Sequence, residues 1–156
     1  DYDYCEEFSY HMAAVLGRKA KKPKRIRDGR YRVRYRSKEF YVWWKNQSLK
    51  TLKPIIKQYP VDFLRAFVTG EGSPHKCHVH VYNTDTKLLL IVRELCRKLG
   101  IRTGEKLSLN KRKGTKVVFK GRVGYKRKDC WDLLINRADF LAKVGFSAAR
   151  KTFKDK

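Results

Sequence analysis

Apolar positions along the chain recur at two spacings, and the switches between them divide it into short elements. Phe8, Met12, Ala13, Val15 and Leu16 make one apolar side over Glu6 to Gly17, which predicts a helix with Gly17 as its stop. From Arg30 to Arg36 the spacing is strictly two. Tyr31, Val33 and Tyr35 alternate with Arg30, Arg32, Arg34 and Arg36, which predicts a strand with an apolar back and a guanidinium front. Lys38 to Gln47 reads as an aromatic-rich helix, and Leu49 to Gln58 as a second helical piece leading to Pro60. Phe40, Trp43, Trp44, Leu52, Ile55 and Ile56 are its expected core contacts. Pro60 suits a helix start and Gly70 and Gly72 its end, around the small and apolar run Ala66, Phe67, Val68. His78 to Tyr82 alternates as a strand, and Thr84 or Asp85 then caps a helix whose Leu88, Ile91, Val92, Leu95 and Leu99 share a face up to Gly100. Lys106 to Asn110 and Lys116 to Lys120 read as two strands, with Asn110 to Gly114 as the turn between them. Asp129 to Ile135 and Ala138 to Val144 are expected as closing helices, with Trp131, Leu134, Phe140, Leu141 and Val144 inward, and the terminal KTFKDK is expected to fray.

At 156 residues and 42% hydrophobic, the chain is long enough for one domain with a core, and it is not of disordered composition. Charge changes the picture more. Lys and Arg number 39 against 15 Asp and Glu, a net +24. A chain so charged repels itself unless a polyanion joins it, and nucleic acid is the leading candidate. No long apolar run and no lipid-seeking basic helix is present, so no membrane partner is expected. The acidic, aromatic N-terminus does not read as a signal peptide. Cys5, Cys77, Cys96 and Cys130 form no C-x-x-C pair, so no zinc site is expected even with His75, His78 and His80 beside Cys77. A reduced, intracellular protein fits that cysteine usage.

The charge is also concentrated. Twelve Lys or Arg lie between Arg18 and Lys38 against one acid, Asp28. Four arginines on one strand face would only repel in water, whereas a DNA groove and its phosphates accommodate them. Lys106 to Lys128 holds ten Lys or Arg and no acid, as suits a basic hairpin tracking phosphates. The candidate nucleic-acid contacts are therefore Arg30, Arg32, Arg34, Arg36, Lys106, Ser108, Lys111, Arg112, Lys113 and Lys116, joined by His78 and His80 on one face of their strand. Glu71 stands apart from all of these. It ends a helix where the macrodipole is negative and a carboxylate is disfavoured, and a divalent cation bound by carboxylate and carbonyl oxygens would offset that. An exposed Glu ending an ordinary helix is the alternative.

The nine residues LRAFVTGEG, Leu64 to Gly72, resemble the motif of the LAGLIDADG homing endonucleases. Leu64, Phe67, Val68, Gly70 and Gly72 match its apolar and glycine positions, and Glu71 matches its metal-binding acid. Thr69 replaces the first acid, and Arg65 a small residue. HVHVYNT, TKLLLIVRELCRKLGI and INRADFLAKVGFSAARK follow in the family's order, so the resemblance covers Ser37 to Lys154. Ser9 to Gly17 also resembles a first motif copy, but Arg18 and Lys19 stand where its acid and last glycine belong.

The resemblance implies an α+β fold: an αββαββα half-domain with a curved antiparallel DNA-binding sheet and helices on its back. Residues 1–60 would be an N-terminal segment with a vestigial motif helix and a basic strand, and 61–156 the core half-domain. It implies a site-specific, intron-encoded endonuclease in an archaeal cytoplasm or an organelle. Such an enzyme uses Mg2+, or another divalent cation such as Mn2+ or Ca2+, and cuts both strands of a long, near-palindromic duplex to leave short 3′ overhangs. No small-molecule substrate is expected. Glu71 and the Gly70 carbonyl would hold the metal, Lys120 would lie near the scissile phosphate, and Asn83 or Thr84 is a candidate to orient water. With one intact motif, a homodimer would bring Glu71 to the partner's Glu71, Ala66 and Gly70 permitting close helix approach. Two alternatives stay open: a non-cleaving binder such as an intron-splicing maturase or a decayed endonuclease, and a monomer that at best nicks.

Overall fold

The elements run α1 (Tyr2–Val15), β1 (Lys24–Arg25), β2 (Tyr31–Arg32), α2 (Lys38–Lys45), α3 (Leu49–Gln58), α4 (Pro60–Glu71), β3 (Gly72–Pro74), β4 (His78–Asn83), α5 (Thr86–Lys98), β5 (Ser108–Lys111), β6 (Lys116–Phe119), β7 (Arg122–Tyr125), β8 (Cys130–Asn136) and α6 (Arg137–Lys143). They are those of a computed structural model, which describes residues 2–119 and 122–147. The chain divides into two compact units, Asp1–Gln58 and Tyr59–Phe146.

The second unit is built on an antiparallel four-stranded sheet of order β3-β4-β8-β5. Strand alternation sends Val79, Val81, Leu133 and Ile135 to one face, where none is exposed. Leu64 and Val68 of α4, Leu89, Val92 and Leu95 of α5, and Phe140 of α6 complete that core. Each such side chain contributes about 1.5–3 kcal/mol on burial. The helices thus lie on one face of the sheet and leave the other open. The order α-β-β-α-β-β-α is present, with the β6–β7 hairpin inserted between β5 and β8.

Three expectations are corrected here. Asp129 to Ile135 is not a helix: Cys130–Asn136 is strand β8, central in the sheet. Its short apolar run fits either spacing, and pairing with β4 along His78–Asn83 and with β5 decides for the strand. The residues Asn110 to Gly114 do not join two paired strands. β5 pairs with β8, while β6 pairs with β7. Gly114, at φ 83°, turns the chain out of the sheet edge, and its N–H donates to the Lys126 carbonyl at the hairpin base. In α5 the buried residues are Leu89, Ile91, Val92, Leu95 and Cys96, so the inward face is centred on Leu89 and Cys96, with Leu88 and Leu99 at its margins.

In the first unit, Tyr31, Val33 and Tyr35 are half-buried while Arg30, Arg32, Arg34 and Arg36 are exposed. The alternation holds, yet only Tyr31 and Arg32 join a ladder, with β1. A polar knot fixes the rest. The Tyr35 hydroxyl and Ser9 Oγ lie 2.8 Å apart, and the Lys21 N–H donates to both, at 3.0 and 2.8 Å. Trp43 and Trp44 of the short α2 are 47% and 56% exposed and Ile55 48%, a correction to their assignment as core; Ile56 is the buried one. Trp44 instead rims an apolar hollow of about 510 Å³ lined by Phe8, Met12, Leu16, Val33 and Phe40.

Both units repeat one local order. α1 is followed by Leu16-Gly17 (φ 60°) and α5 by Leu99-Gly100 (φ 67°). Each then passes through strands to a capped helix, α2 on Ser37 and α6 on Asn136, whose side chains accept from the N–H three residues on. By element order α1 therefore corresponds to α5 rather than to α4. The likeness of Ser9 to Gly17 to the motif is not matched by its place in the unit.

Candidate functional site

Pro60 opens α4 where its missing N–H leaves nothing unsatisfied, and Leu64, Val68 and Thr69 face the core. Phe63 and Phe67 stack along one flank at 5.5 Å. Asp62, Ala66 and Gly70 are exposed on the opposite side, and Glu71 is exposed at the end of the helix. The Arg65 Nε donates to the Val144 carbonyl at 3.1 Å, tying α4 to the end of α6. Gly72 then lets the chain pass straight from α4 into β3. A Cβ there would lie 2.3 Å from the Val68 carbonyl oxygen and 3.1 Å from Val79 Cγ1. Glu71 is held by this junction at the last helical position, beside the sheet's edge strand.

On the open face of the sheet stand His78, His80 and Tyr82 of β4, Asp132 and Leu134 of β8, and Ser108 of β5, with Tyr82, Asp132 and Ser108 in one cross-strand row. His80 Nδ1 lies 2.7 Å from Asp132 Oδ2. The imidazole meets the His75 ring edge-on at 4.7 Å and stacks with Tyr82 at 5.9 Å. Asp132 is 8% exposed, and its Oδ1 is buried with no hydrogen-bond partner among the described residues. An unpaired buried acceptor costs about 1–3 kcal/mol, so the acid needs an explanation. Burial, then the Asp132 charge, pushes the Tyr82 hydroxyl above its ordinary range. Sequence reasoning missed Asp132. Its signal was an acid inside the apolar run Trp131 to Ile135.

The other candidates fall as follows. Asn83 ends β4, and its Oδ1 accepts the Asp85 N–H at 2.9 Å, so it shapes the entry to α5; Thr84 is exposed. Lys120 lies outside the described residues, as does the terminal KTFKDK. Lys106, Lys111, Arg112, Lys113 and Lys116 are exposed, Lys111 opposite Cys130 across a register shift. His78 is exposed at the start of β4. Arg32 and Arg34 line a basic hollow of about 230 Å³ with Lys21, Lys22 and Lys24, in the first unit. Arg30 is instead paired with Asp28, which raises the guanidinium further.

Among the described residues no three His, Cys, Asp or Glu side chains group as a metal site. Glu71 and the carbonyls of the last α4 turn are hard oxygen donors of the type Mg2+, Mn2+ or Ca2+ takes, and Glu71 is the acid that the end of α4 supplies. No described helix is long and apolar enough to cross a membrane.

Comparison with known proteins gives a consistent result. The family model for the LAGLIDADG-like domain matches residues 58–145. The uncharacterised protein MJ0398 of Methanocaldococcus jannaschii is 31% identical over 131 residues, which is 81% of this chain and 47% of that protein. The chain thus spans about half the length of the curated relative it matches. Among solved structures, I-DmoI in complex with DNA and Ca superposes with a TM-score of 0.58 at 21% identity, over 86% of this chain and 63% of that one. I-DmoI with DNA and Mn gives 0.61 at 20%, over 90% and 71%. At these identities the likeness is one of fold: mixed helices and antiparallel strands of the homing-endonuclease type. With the family model spanning more than half of it, the chain belongs to the LAGLIDADG-like domain family.

Proposed function

We propose that this protein is a metal-dependent, site-specific DNA endonuclease, with duplex DNA on the open face of the β3-β4-β8-β5 sheet and Glu71 as the metal-binding acid. The observation that carries the proposal is the α4–β3 junction. Gly72 seats an exposed carboxylate at the end of the motif helix, beside the edge of a sheet whose other face is fully occupied by core. Glu71 and the Gly70 carbonyl would hold the cation, which when bound supplies an activated water and neutralises charge on the phosphate. The protein's own part is to fix the acid and to place the phosphodiester by basic side chains. Lys111, Arg112, Lys113 and Lys116 follow the sheet edge out towards the hairpin and serve as phosphate contacts, as do Arg32 and Arg34 in the first unit. Lys120 is proposed near the scissile phosphate by family resemblance. Two of the solved structures it resembles are complexes of I-DmoI with DNA and Ca or Mn, which supports both partners.

One acid per chain is few for two-strand hydrolysis. α1 stands in the place of α5, so it does not offer a second α4 within the described chain. We assign the second acid to another copy, on the ground that the exposed Ala66 and Gly70 allow two α4 helices to approach closely. One observation favours a second arrangement, in which a single chain spans the target: 86–92% of this chain, hence parts of both units, matches single chains of I-DmoI.

The test is Mg2+-dependent cleavage of a DNA library carrying candidate insertion sites, with Glu71→Gln alongside and light scattering on the DNA complex. Paired cuts lost in the variant, with two copies on the DNA, are expected. Two copies absent but cutting intact would sink the homodimer alone. Tight DNA binding without cleavage in either protein would refute the endonuclease.

A further inference from the structure

Attraction of DNA to the open sheet face requires positive charge, yet the most deeply set polar group there is an acid. Asp132 lies on that face in a protein of net charge +24, where a lone carboxylate would oppose a polyanion. Its one hydrogen bond among the described residues is to His80, and its other oxygen is buried without a donor. Among the described side chains, Asp132 is thus tied to the imidazole alone.

We infer that His80, positioned by Asp132, reads one base edge of bound DNA through Nε2, and that the base it prefers changes with the charge on the ring. The inference rests on the DNA-binding reading of the sheet. Its chemistry is simple. A carboxylate only accepts, so the Nδ1 beside it carries the proton. In the neutral ring Nε2 is then an acceptor, suited to the amino group of adenine or cytosine in the major groove. In the imidazolium it is a donor, suited to guanine N7 or O6. The ring is placed for such a role. Its side chain is 28% exposed against 11% for Asp132, so the histidine is the outer member of the pair. His75 and Tyr82 wall it on two sides, and Ser73 and Leu134 are its cross-strand neighbours. The titratable groups around it are Asp132 and Cys130 of β8, Tyr82 and His78 of β4, and His75 of the β3–β4 connection. Asp132 is the acid among them, and it sits on the side of the ring away from Nε2.

The experiment is site selection from a randomised double-stranded DNA library at about pH 5 and about pH 8, the general interval over which imidazole side chains change charge. Wild type, His80→Gln and Asp132→Asn would be compared, each checked for native circular dichroism at both pH values. Wild type should favour guanine at one base pair of the site at the lower pH and adenine or cytosine at the higher, by about threefold to tenfold, as one hydrogen bond implies. His80→Gln, which presents a donor and an acceptor at either pH, should bind DNA with no change of preference. Asp132→Asn frees the tautomer and should blunt the change at that base pair while leaving other positions alone. Unchanged preferences in wild type, or a pH-dependent change retained by His80→Gln, would overturn the inference while leaving DNA binding intact. Failure of wild type to retain DNA at either pH would instead overturn the DNA-binding reading and this inference with it.

Discussion

Replacing Gly72 with alanine tests the junction on which the proposed site depends. The glycine has φ −82°, which any residue adopts, so backbone conformation contributes nothing to the cost. The cost is steric. The added methyl would meet the Val68 carbonyl oxygen at 2.3 Å, Val68 Cγ1 at 3.0 Å and Val79 Cγ1 at 3.1 Å. The nearest of these is backbone in the last turn of α4, and Val68 and Val79 are both fully buried, so nothing flexible yields. Overpacking of this kind costs about 1–3 kcal/mol, and a backbone clash belongs at the upper end. Against it, alanine restricts the unfolded chain and returns about 0.4–1 kcal/mol. The net loss is about 1–2.5 kcal/mol. With two units in the chain, a single global midpoint is the wrong readout. Amide hydrogen exchange at Val79, Val81 and Leu133 reports opening of this sheet itself. Gly104→Ala is the control, because its Cβ would meet Leu134 Cβ at 3.5 Å and the Lys106 carbonyl at 3.6 Å, ordinary contacts. It should stay within about 0.5 kcal/mol of wild type. If Gly72→Ala exchanges like Gly104→Ala, the close approach of α4 to β4 is not what fixes Glu71, and the account of the site fails.

Asp139 accepts from the Arg102 backbone N–H and from the Nε and Nη2 groups along one edge of its guanidinium, which holds the carboxyl down at about 2. A carboxylate depressed in the folded state stabilises fully above its unfolded value, near 3.9, and loses that contribution as pH falls towards 2. Asp139→Asn should therefore be less stable than wild type at neutral pH, and the two should converge on acid titration through that window; parallel curves would refute it. Burial pushes the Cys96 thiol up to about 12, while Cys77 is exposed. Alkylation at about pH 8, followed by peptide mass spectrometry, should modify Cys77 at least about a hundredfold faster than Cys96. Asp85 caps α5, its Oδ1 accepting from the Lys87 and Leu88 N–H groups at 2.9 and 3.2 Å. Asp85→Ala should cost about 1 kcal/mol by hydrogen exchange in α5, and no loss there would show that the cap is idle.

What was legible in the sequence was local. Pro60 and Gly72 bound α4 because proline and glycine act on the residues beside them. Asp85 starts α5 through its own side chain, and the alternation of Tyr31 to Arg36 survives as exposure even though most of that segment has no strand partner. Trp43 and Trp44 were misread for the opposite reason. Large aromatics at helical spacing say that a surface is apolar, not that anything covers it, and both indoles are about half exposed.

The two larger errors, the fold of Asp129 to Ile135 and the absence of Asp132 from the candidate site, are one error. In a helix, Asp132 would be a surface acid among leucines. Once Cys130–Asn136 is a strand, the register with β4 sets Tyr82 opposite Asp132 and His80 opposite Leu134. His80 and Asp132 then become diagonal neighbours on the open face, within reach of an imidazole and a carboxylate. Everything that distinguishes that pair follows from a contact 52 residues distant in sequence. Glu71, by contrast, is marked out by the residues that adjoin it, although its seat also needs Val79 of β4 beside Gly72. The acid of the proposed cleavage site was therefore readable from nine consecutive residues, whereas the proposed base reader exists only after the sheet has formed. Substitutions that weaken the β4–β8 pairing, such as Ile135→Ala at a fully buried position, should on this reasoning relax sequence preference at the His80 base pair before they abolish cleavage.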